Sequence, residues 1–171
     1  FEIKKKINNI NNFKLIFSAH GLPARNIKKG DPYQWQVEQT VNEIVNLLNW
    51  ESLDWILSYQ SRIGPLKWIG PSTDETIIEN SKFNKHIVLV PIAFVSEHSE
   101  TLVELDIEYK KLAKENGCTK YTRIPALGIN DAFIYSLSNL VINKNENQFD
   151  GKIFPPKNKC PANFIKCPCQ R

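Results

Sequence analysis

The longest apolar run of this chain is Ile87-Val88-Leu89-Val90-Pro91-Ile92-Ala93-Phe94-Val95, and a second, shorter run is Phe13-Lys14-Leu15-Ile16-Phe17. Each run predicts a buried strand, and each is followed directly by ionisable residues, in SAHGLP at 18–23 and in SEHSET at 96–101. Parallel α/β sheets usually bind ligands in the crevice at the carboxyl ends of their strands. We therefore expect His20 and Glu100 to project into one shared site, where these residue types suit metal handling or proton transfer.

The remaining patterns alternate between helix and strand. Asp31-Pro32 opens a helix over 32–49, and a short strand at 54–59 delivers residues 60–62 to its carboxyl end. The later predicted elements are a capping-box helix from Ser72, a strand at 86–92, a long helix at 97–116 ended by Gly117, a strand at 121–125 and a helix at 131–142. This alternation predicts an α/β fold, a four-stranded parallel sheet flanked by helices on both faces.

Composition places the core in the middle of the chain. With 171 residues and 42% hydrophobic content, the chain can bury a sizeable core. Residues 1–12 are rich in Lys and Asn and predict a connector, 13–145 form the predicted domain, and 146–171 form a polar tail that bears cysteines.

Charge and hydropathy exclude some classes of partner. The formal net charge of +4 comes from 22 basic against 18 acidic residues, and the excess basic charge lies at the two ends. The sequence shows no aromatic-interleaved basic stripe, so solvated tails are favoured over binding of nucleic acid. Because no apolar stretch approaches the roughly 20 residues of a spanning helix, we expect a soluble or peripheral protein.

Glutamates are regularly spaced along the predicted helix 97–116. Glu100, Glu104 and Glu108 recur every four residues and form one acidic stripe, which Glu97 extends. A solvated helix face is the ordinary explanation, because like charges at this spacing cost only a few tenths of a kcal/mol. Apolar residues flank the stripe on both sides, which favours a channel where the carboxylates would share protons or meet a cation.

Five blocks of sequence stand in the order expected of one known family. They are FSAHGLP at 17–23, GDPY at 30–33, YQSRIGP at 59–65, WIGPSTDE at 68–75, and the stretch from VPIAF at 90–94 through LDIEY at 105–109. Together they resemble the C-terminal half of ferrochelatase. Since the chain also contains no Met and opens at Phe1, we expect a fragment whose N-terminal half is missing.

The resemblance implies a chelatase-like half of a two-domain enzyme, with the porphyrin cleft between the halves. The activity it implies is insertion of Fe²⁺, as substrate, into protoporphyrin IX to form protohaem. In the family the residue matching His20 is catalytic and the one matching Trp68 borders the cleft. We expect His20 and Glu100 to bind iron or accept pyrrole protons. The other implied roles are a proton relay through Glu97, His98, Glu104 and Glu108, and porphyrin binding by Gln60, Ser61, Arg62 and Trp68, with loop capping as the alternative for residues 60–62.

Three cysteines crowd the tail, at Cys160, Cys167 and Cys169. Their spacing fits no zinc-finger template. Some ferrochelatases hold a two-iron two-sulfur cluster with three C-terminal cysteines and a fourth elsewhere, so the resemblance makes these residues candidate cluster ligands. Free thiols are the alternative, and Cys118, which follows Gly117 at a helix end, is not expected to be the fourth ligand.

Two other functions stay open from the sequence. One is a cobalt chelatase that acts on a related tetrapyrrole, and the other is a half-domain that binds metal or porphyrin without turnover. We expect a cytoplasmic location with peripheral contact at the inner membrane. The expected partners are protoporphyrin IX, the N-terminal half and a second copy in a homodimer, with no nucleic acid.

Overall fold

A four-stranded parallel sheet forms the centre of the computed structural model, which describes residues 2–7, 12–83, 85–145, 161, 162 and 164. The strand order is β2-β1-β3-β4, with β1 pairing in parallel with both β2 and β3. This arrangement confirms the predicted α/β fold. The strands are β1 (Phe13–His20), β2 (Trp55–Gln60), β3 (His86–Pro91) and β4 (Tyr121–Arg123).

Strand β1 separates two layers of core. Leu15 and Phe17 face one layer, which contains α1 (Glu2–Ile7) and α3 (Tyr33–Leu48), whereas Ile16 faces the other, which contains α4 (Thr73–Ser81) and α6 (Tyr109–Glu115). The alternation follows because successive side chains of a strand point to opposite faces. Helices therefore cover both faces of the sheet, as expected for a parallel sheet.

Two short helices were not predicted. Residues 2–7, interpreted as part of a connector, form α1, whose Ile3 and Ile7 are buried in the core. Two apolar residues one turn apart are too short a pattern to indicate a helix by periodicity. The five-residue helix α2 (Ala24–Lys28) follows the loop after β1.

The helix predicted over 97–116 is wrong as one continuous element. It consists of α5 (Ser99–Leu102), a π-helix (Glu104–Glu108) and α6. The amides of Ile107 and Glu108 both donate to the Val103 carbonyl at 3.0 Å, so the turn widens by one residue, as in a π-helix. Gly117 follows the helix end as predicted, with a φ of 93°.

The last described helix is α7 (Asp131–Asn145), which matches the helix predicted over 131–142 and exposes much of its apolar surface. Residues 146–160, 163 and 165–171 lie outside the described residues, and the predicted ligands Cys160, Cys167 and Cys169 lie there too. Phe164 contacts Trp35, with ring centroids 6.0 Å apart. Over the described ranges, no helix has the length and apolar character needed to span a membrane.

Candidate active site

A cavity of about 500 Å³ opens at the carboxyl end of β2, beside α5 and the π-helix. Residues 59–63 form one wall, and α5 with the π-helix forms the opposite wall. Four carboxylates line the space: Asp74, Glu100, Glu104 and Glu108. The cavity is thus acidic and lies at the sheet edge where ligands of parallel α/β sheets bind.

His20 and Glu100 meet beside this cavity. His20 Nε2 lies 3.4 Å from Glu100 Oε1, and the two side chains are 39% and 38% exposed, so a ligand can reach both. His20 Nδ1 lies 2.7 Å from the Gly21 carbonyl oxygen. Because a carbonyl only accepts, Nδ1 carries the hydrogen, and Nε2 is left to face the glutamate. Tyr33 donates its hydroxyl to the His20 carbonyl at 2.9 Å and so ties α3 to this loop.

Glu104 is the most heavily hydrogen-bonded carboxylate of the site. Its Oε1 accepts from the Ser61 amide and the Tyr109 hydroxyl, both at 2.8 Å. Its Oε2 accepts from Gln60 Nε2 at 3.0 Å and from the Ser61 hydroxyl at 2.6 Å. Burial, and next the neighbouring Glu104, raise the pKa of Tyr109, so its hydroxyl stays a donor. Four donors hold Glu104 in one position.

The π-helix explains why three glutamates face the same cavity. A step of four residues overshoots one α-helical turn by about 40°, so a long α-helix would rotate successive glutamates away from one another. A π-helical turn takes up more residues than an α-helical one and reverses that drift. Glu100, Glu104 and Glu108 therefore all line the cavity.

Glu97 and His98 lie just before α5. Glu97 accepts from Arg123 Nη1 at 2.5 Å and from the Ala126 amide at 2.9 Å. Burial alone would raise the pKa of Glu97, but hydrogen bonds from Thr101 and Arg123 outweigh it and lower that pKa. The His98 side chain caps α5 by accepting from the Glu100 amide at 3.2 Å. Neither residue is among those lining the cavity.

The predicted porphyrin contacts follow β2. Gln60 is 1% exposed and donates its amide hydrogens to the Glu100 carbonyl and to Glu104, both at 3.0 Å. Its side chain therefore supports the two glutamates. Ser61 and Arg62 line the cavity directly, and Arg62 lies 3.7 Å from Glu75.

Trp68 packs beside the loop that carries His20. Gly21, in the same loop, is closely packed. A Cβ atom at Gly21 would lie 2.9 Å from the Gln60 carbonyl oxygen and 3.3 Å from the Trp68 ring. Glycine is thus needed for close packing of the loops, while Trp68 Nε1 is buried and has no hydrogen-bond partner among the described residues.

Comparison with known proteins identifies the family. The family model described as ferrochelatase matches residues 2–145, which include every element that builds the cavity. The chain belongs to the ferrochelatase family.

Similar ferrochelatases come from several bacteria. The chain is 71% identical over 168 residues to the ferrochelatase of Pelagibacter ubique (strain HTCC1062). It is 49% identical over 169 residues to that of Rickettsia prowazekii (strain Madrid E) and 50% identical over 169 residues to that of Rickettsia typhi (strain ATCC VR-144 / Wilmington). Each match covers 98% of this chain and 49% of the relative. The chain therefore spans about half the length of the curated relatives it matches.

Sequence reasoning missed several residues of this ferrochelatase-family site. Tyr109 and Asp74 line the cavity, and Tyr33 holds the His20 backbone. Tyr33 and Tyr109 lie in helices, where a tyrosine ordinarily indicates packing against the core. Asp74 lies in the first turn of α4, where an acidic residue is ordinary.

The described residues contain no group of three or more His, Cys, Asp or Glu side chains arranged to hold a metal ion. His20 and Glu100 form a pair only, so a bound metal would need ligands from elsewhere. Cys118 donates to the carbonyls of Lys120 and Lys85 at 3.1 and 3.6 Å. Its thiol therefore has weak hydrogen-bond partners within this fold.

Proposed function

We propose that this chain supplies the metal- and proton-handling half of a ferrochelatase, which inserts Fe²⁺ into protoporphyrin IX to form protohaem. The observation that carries the proposal is the His20–Glu100 pair, 3.4 Å apart, beside an acidic cavity in a member of this family. The reaction balances without a redox step, because Fe²⁺ replaces two pyrrole N–H protons and both protons leave.

His20 accepts the pyrrole protons. Its Nε2 is the free ring nitrogen because Nδ1 donates to the Gly21 carbonyl. The carboxylate of Glu100 stabilises the imidazolium that forms, as an opposite charge at this distance favours the protonated ring. Because the one lone pair of Nε2 cannot hold a proton and Fe²⁺ at once, the carboxylate of Glu100, an oxygen ligand of a type that Fe²⁺ binds, presents the metal.

The remaining carboxylates divide between two roles. Glu104 is a fixed negative charge, because its four donors hold it at the wall of the cavity. Glu108 is exposed at the same cavity and passes protons to solvent. Glu97 and His98 do not line the cavity. In the proposed proton relay they would therefore act after Glu108, at the end farthest from the porphyrin.

Porphyrin binding falls to the loop after β2. Arg62 would contact the propionate groups, since a guanidinium binds carboxylates with charge-assisted hydrogen bonds, whereas the Ser61 hydroxyl donates its one hydrogen to Glu104 and would take part only if it left Glu104. Trp68 supplies a flat apolar surface close to His20, and Gln60 positions the glutamates. The half of the relatives that this chain does not match would close the cleft over the macrocycle.

The tail cysteines and the location depend on the family resemblance alone. Cys160, Cys167 and Cys169 would supply three of the four thiolates of a two-iron two-sulfur cluster, and iron and acid-labile sulfide analysis of the Cys167→Ser variant tests this. A cytoplasmic location, peripheral contact with the inner membrane and a homodimer belong to the same proposal. Sedimentation with anionic vesicles and sedimentation velocity test the last two.

Metal insertion tests the function directly. This chain is joined to the half of the Pelagibacter ubique ferrochelatase that it does not match, giving the joined protein. We expect Fe²⁺ to quench porphyrin fluorescence with turnover in the joined protein and His20→Ala to lower the turnover rate by about 10²–10⁴-fold. Stoichiometric quenching without turnover would favour a binding half-domain instead. A cobalt chelatase is not favoured, because the relatives are named ferrochelatases.

A further inference from the structure

Two sets of polar contacts hold the π-helix, one on each side. On the cavity side, Gln60 and Ser61 bind Glu104. On the opposite side, strand β4 binds the next two residues of the π-helix. The Tyr121 hydroxyl donates to the Leu105 carbonyl at 2.7 Å, and Arg123 binds the carboxylate of Asp106.

The Arg123 guanidinium makes a planar, forked contact. Nε donates to Asp106 Oδ1 at 2.8 Å and Nη2 donates to Asp106 Oδ2 at 2.5 Å. The third nitrogen, Nη1, donates to Glu97 Oε1 at 2.5 Å. One side chain, only 11% exposed, thus connects β4 both to the π-helix and to the segment that precedes α5.

Apolar packing does little to position this part of the helix. Leu105 is the one buried residue between Glu104 and Glu108, whereas Val103 and Ile107 are 44% and 61% exposed. A π-helical turn is rare and needs support from its surroundings. Because few buried side chains lock the turn, its position depends on the polar contacts at its two sides.

A bidentate contact fixes rotation as well as distance. If the π-helix turned about its axis, Asp106 would leave the plane of the guanidinium, and Glu104 would at the same time leave Ser61. Arg123 itself is not among the residues that line the cavity. Its effect on substrate therefore passes through Asp106 and the helix.

We propose that Arg123 is a positioning residue for metal insertion, and that its fork on Asp106 and Glu97 holds the π-helix so that Glu100, Glu104 and Glu108 face the cavity. This inference rests on the proposed function, because it assigns those glutamates to metal and proton handling. Arg123 touches neither porphyrin nor iron.

Asp106→Asn and Asp54→Asn form a matched pair of variants. Asp106 and Asp54 are 36% and 38% exposed, and each binds basic side chains. Asp54 binds Lys14 and Lys85 at the amino ends of the strands, away from the cavity. The same loss of a carboxylate charge is thus made near the cavity and at the opposite ends of the strands. A general loss of stability would therefore affect both variants alike.

In the joined protein, Asp106→Asn and Arg123→Gln are expected to lower kcat about tenfold or more, since small displacements of catalytic groups have such effects. The KM for porphyrin should change less than about twofold, because Arg62 and Trp68 are not attached to the fork. Arg123→Lys keeps the charge but cannot form the fork, so it should share the loss. Asp54→Asn should have the same kcat as the joined protein without substitutions.

Hydrogen exchange supplies a readout that does not require turnover. The amides of Ile107 and Glu108 should exchange about tenfold faster in Arg123→Gln than in Asp54→Asn. Equal exchange in the two variants, equal kcat, or full activity of Arg123→Lys would overturn this inference. Absence of turnover in the unaltered joined protein would overturn the proposed function, and the exchange comparison would still decide whether the fork holds the π-helix.

Discussion

Replacing Glu104 by Gln tests whether this carboxylate is a fixed anion. Glu104 accepts four hydrogen bonds, two at each oxygen. A glutamine amide offers one oxygen and one NH₂ group in the same space. Whichever way the amide is oriented, its NH₂ group faces two of the former donors.

Only some of these donors can adapt. The hydroxyls of Tyr109 and Ser61 can rotate and accept from the new NH₂ group. The Ser61 amide and Gln60 Nε2 cannot accept, and they contact different oxygens of Glu104. One of them therefore loses its acceptor in either orientation, which costs about 1–3 kcal/mol. Loss of charge at the remaining bonds brings the expected total to about 2–4 kcal/mol.

Urea unfolding of the chain measures this cost against two controls. Tyr109→Phe removes one donor and leaves Glu104 three others, so it should cost about 1 kcal/mol. Glu108→Gln removes a charge from an exposed position of the same π-helix and should change the unfolding free energy by less than about 0.5 kcal/mol. If Glu104→Gln proves no more destabilising than Glu108→Gln, then Glu104 is not held as described.

Two further predictions concern the loop after β1 and the start of β3. Gly21→Ala should lower the free energy of unfolding by about 1–3 kcal/mol, because its Cβ would lie 2.9 Å from the Gln60 carbonyl oxygen; a urea midpoint equal to that of the unaltered chain would contradict this. His86 has a pKa lowered below 6.5, first by burial and then by Lys120. The unfolded state then binds more protons, so stability should fall as the pH drops through 6.5 toward the folded pKa. His86→Gln should reduce the difference between the urea midpoints measured at roughly pH 7.5 and pH 5.5. An unchanged difference would refute the assignment to His86.

The sheet and the place of the site could be predicted because they depend on local patterns. The apolar runs at 13–17 and 87–95 form β1 and most of β3 with its following loop. Once the strands are parallel, residues that follow them lie at one edge. This is why His20 and Glu100, which are 80 positions apart, could be expected at a common site.

The internal support of the site could not be predicted in the same way. The 100° periodicity that aligned the glutamates assumes a continuous α-helix, and the π-helix at 104–108 breaks that assumption. Its causes are not local, because Arg123 binds Asp106 and Glu97 across 17 and 26 positions of the chain. Gln60 likewise looked like a substrate contact, and only its burial shows that its amide serves Glu100 and Glu104.

The most direct test of the His20–Glu100 pair is a double-mutant cycle on kcat for metal insertion by the joined protein. His20→Ala should lower kcat by about 10²–10⁴-fold, the usual contribution of a general base. If the two residues act as one unit, adding Glu100→Gln should lower kcat little further. Turnover by His20→Ala equal to that of the unaltered protein, or losses that simply multiply in the double variant, would contradict a shared role in proton and metal transfer.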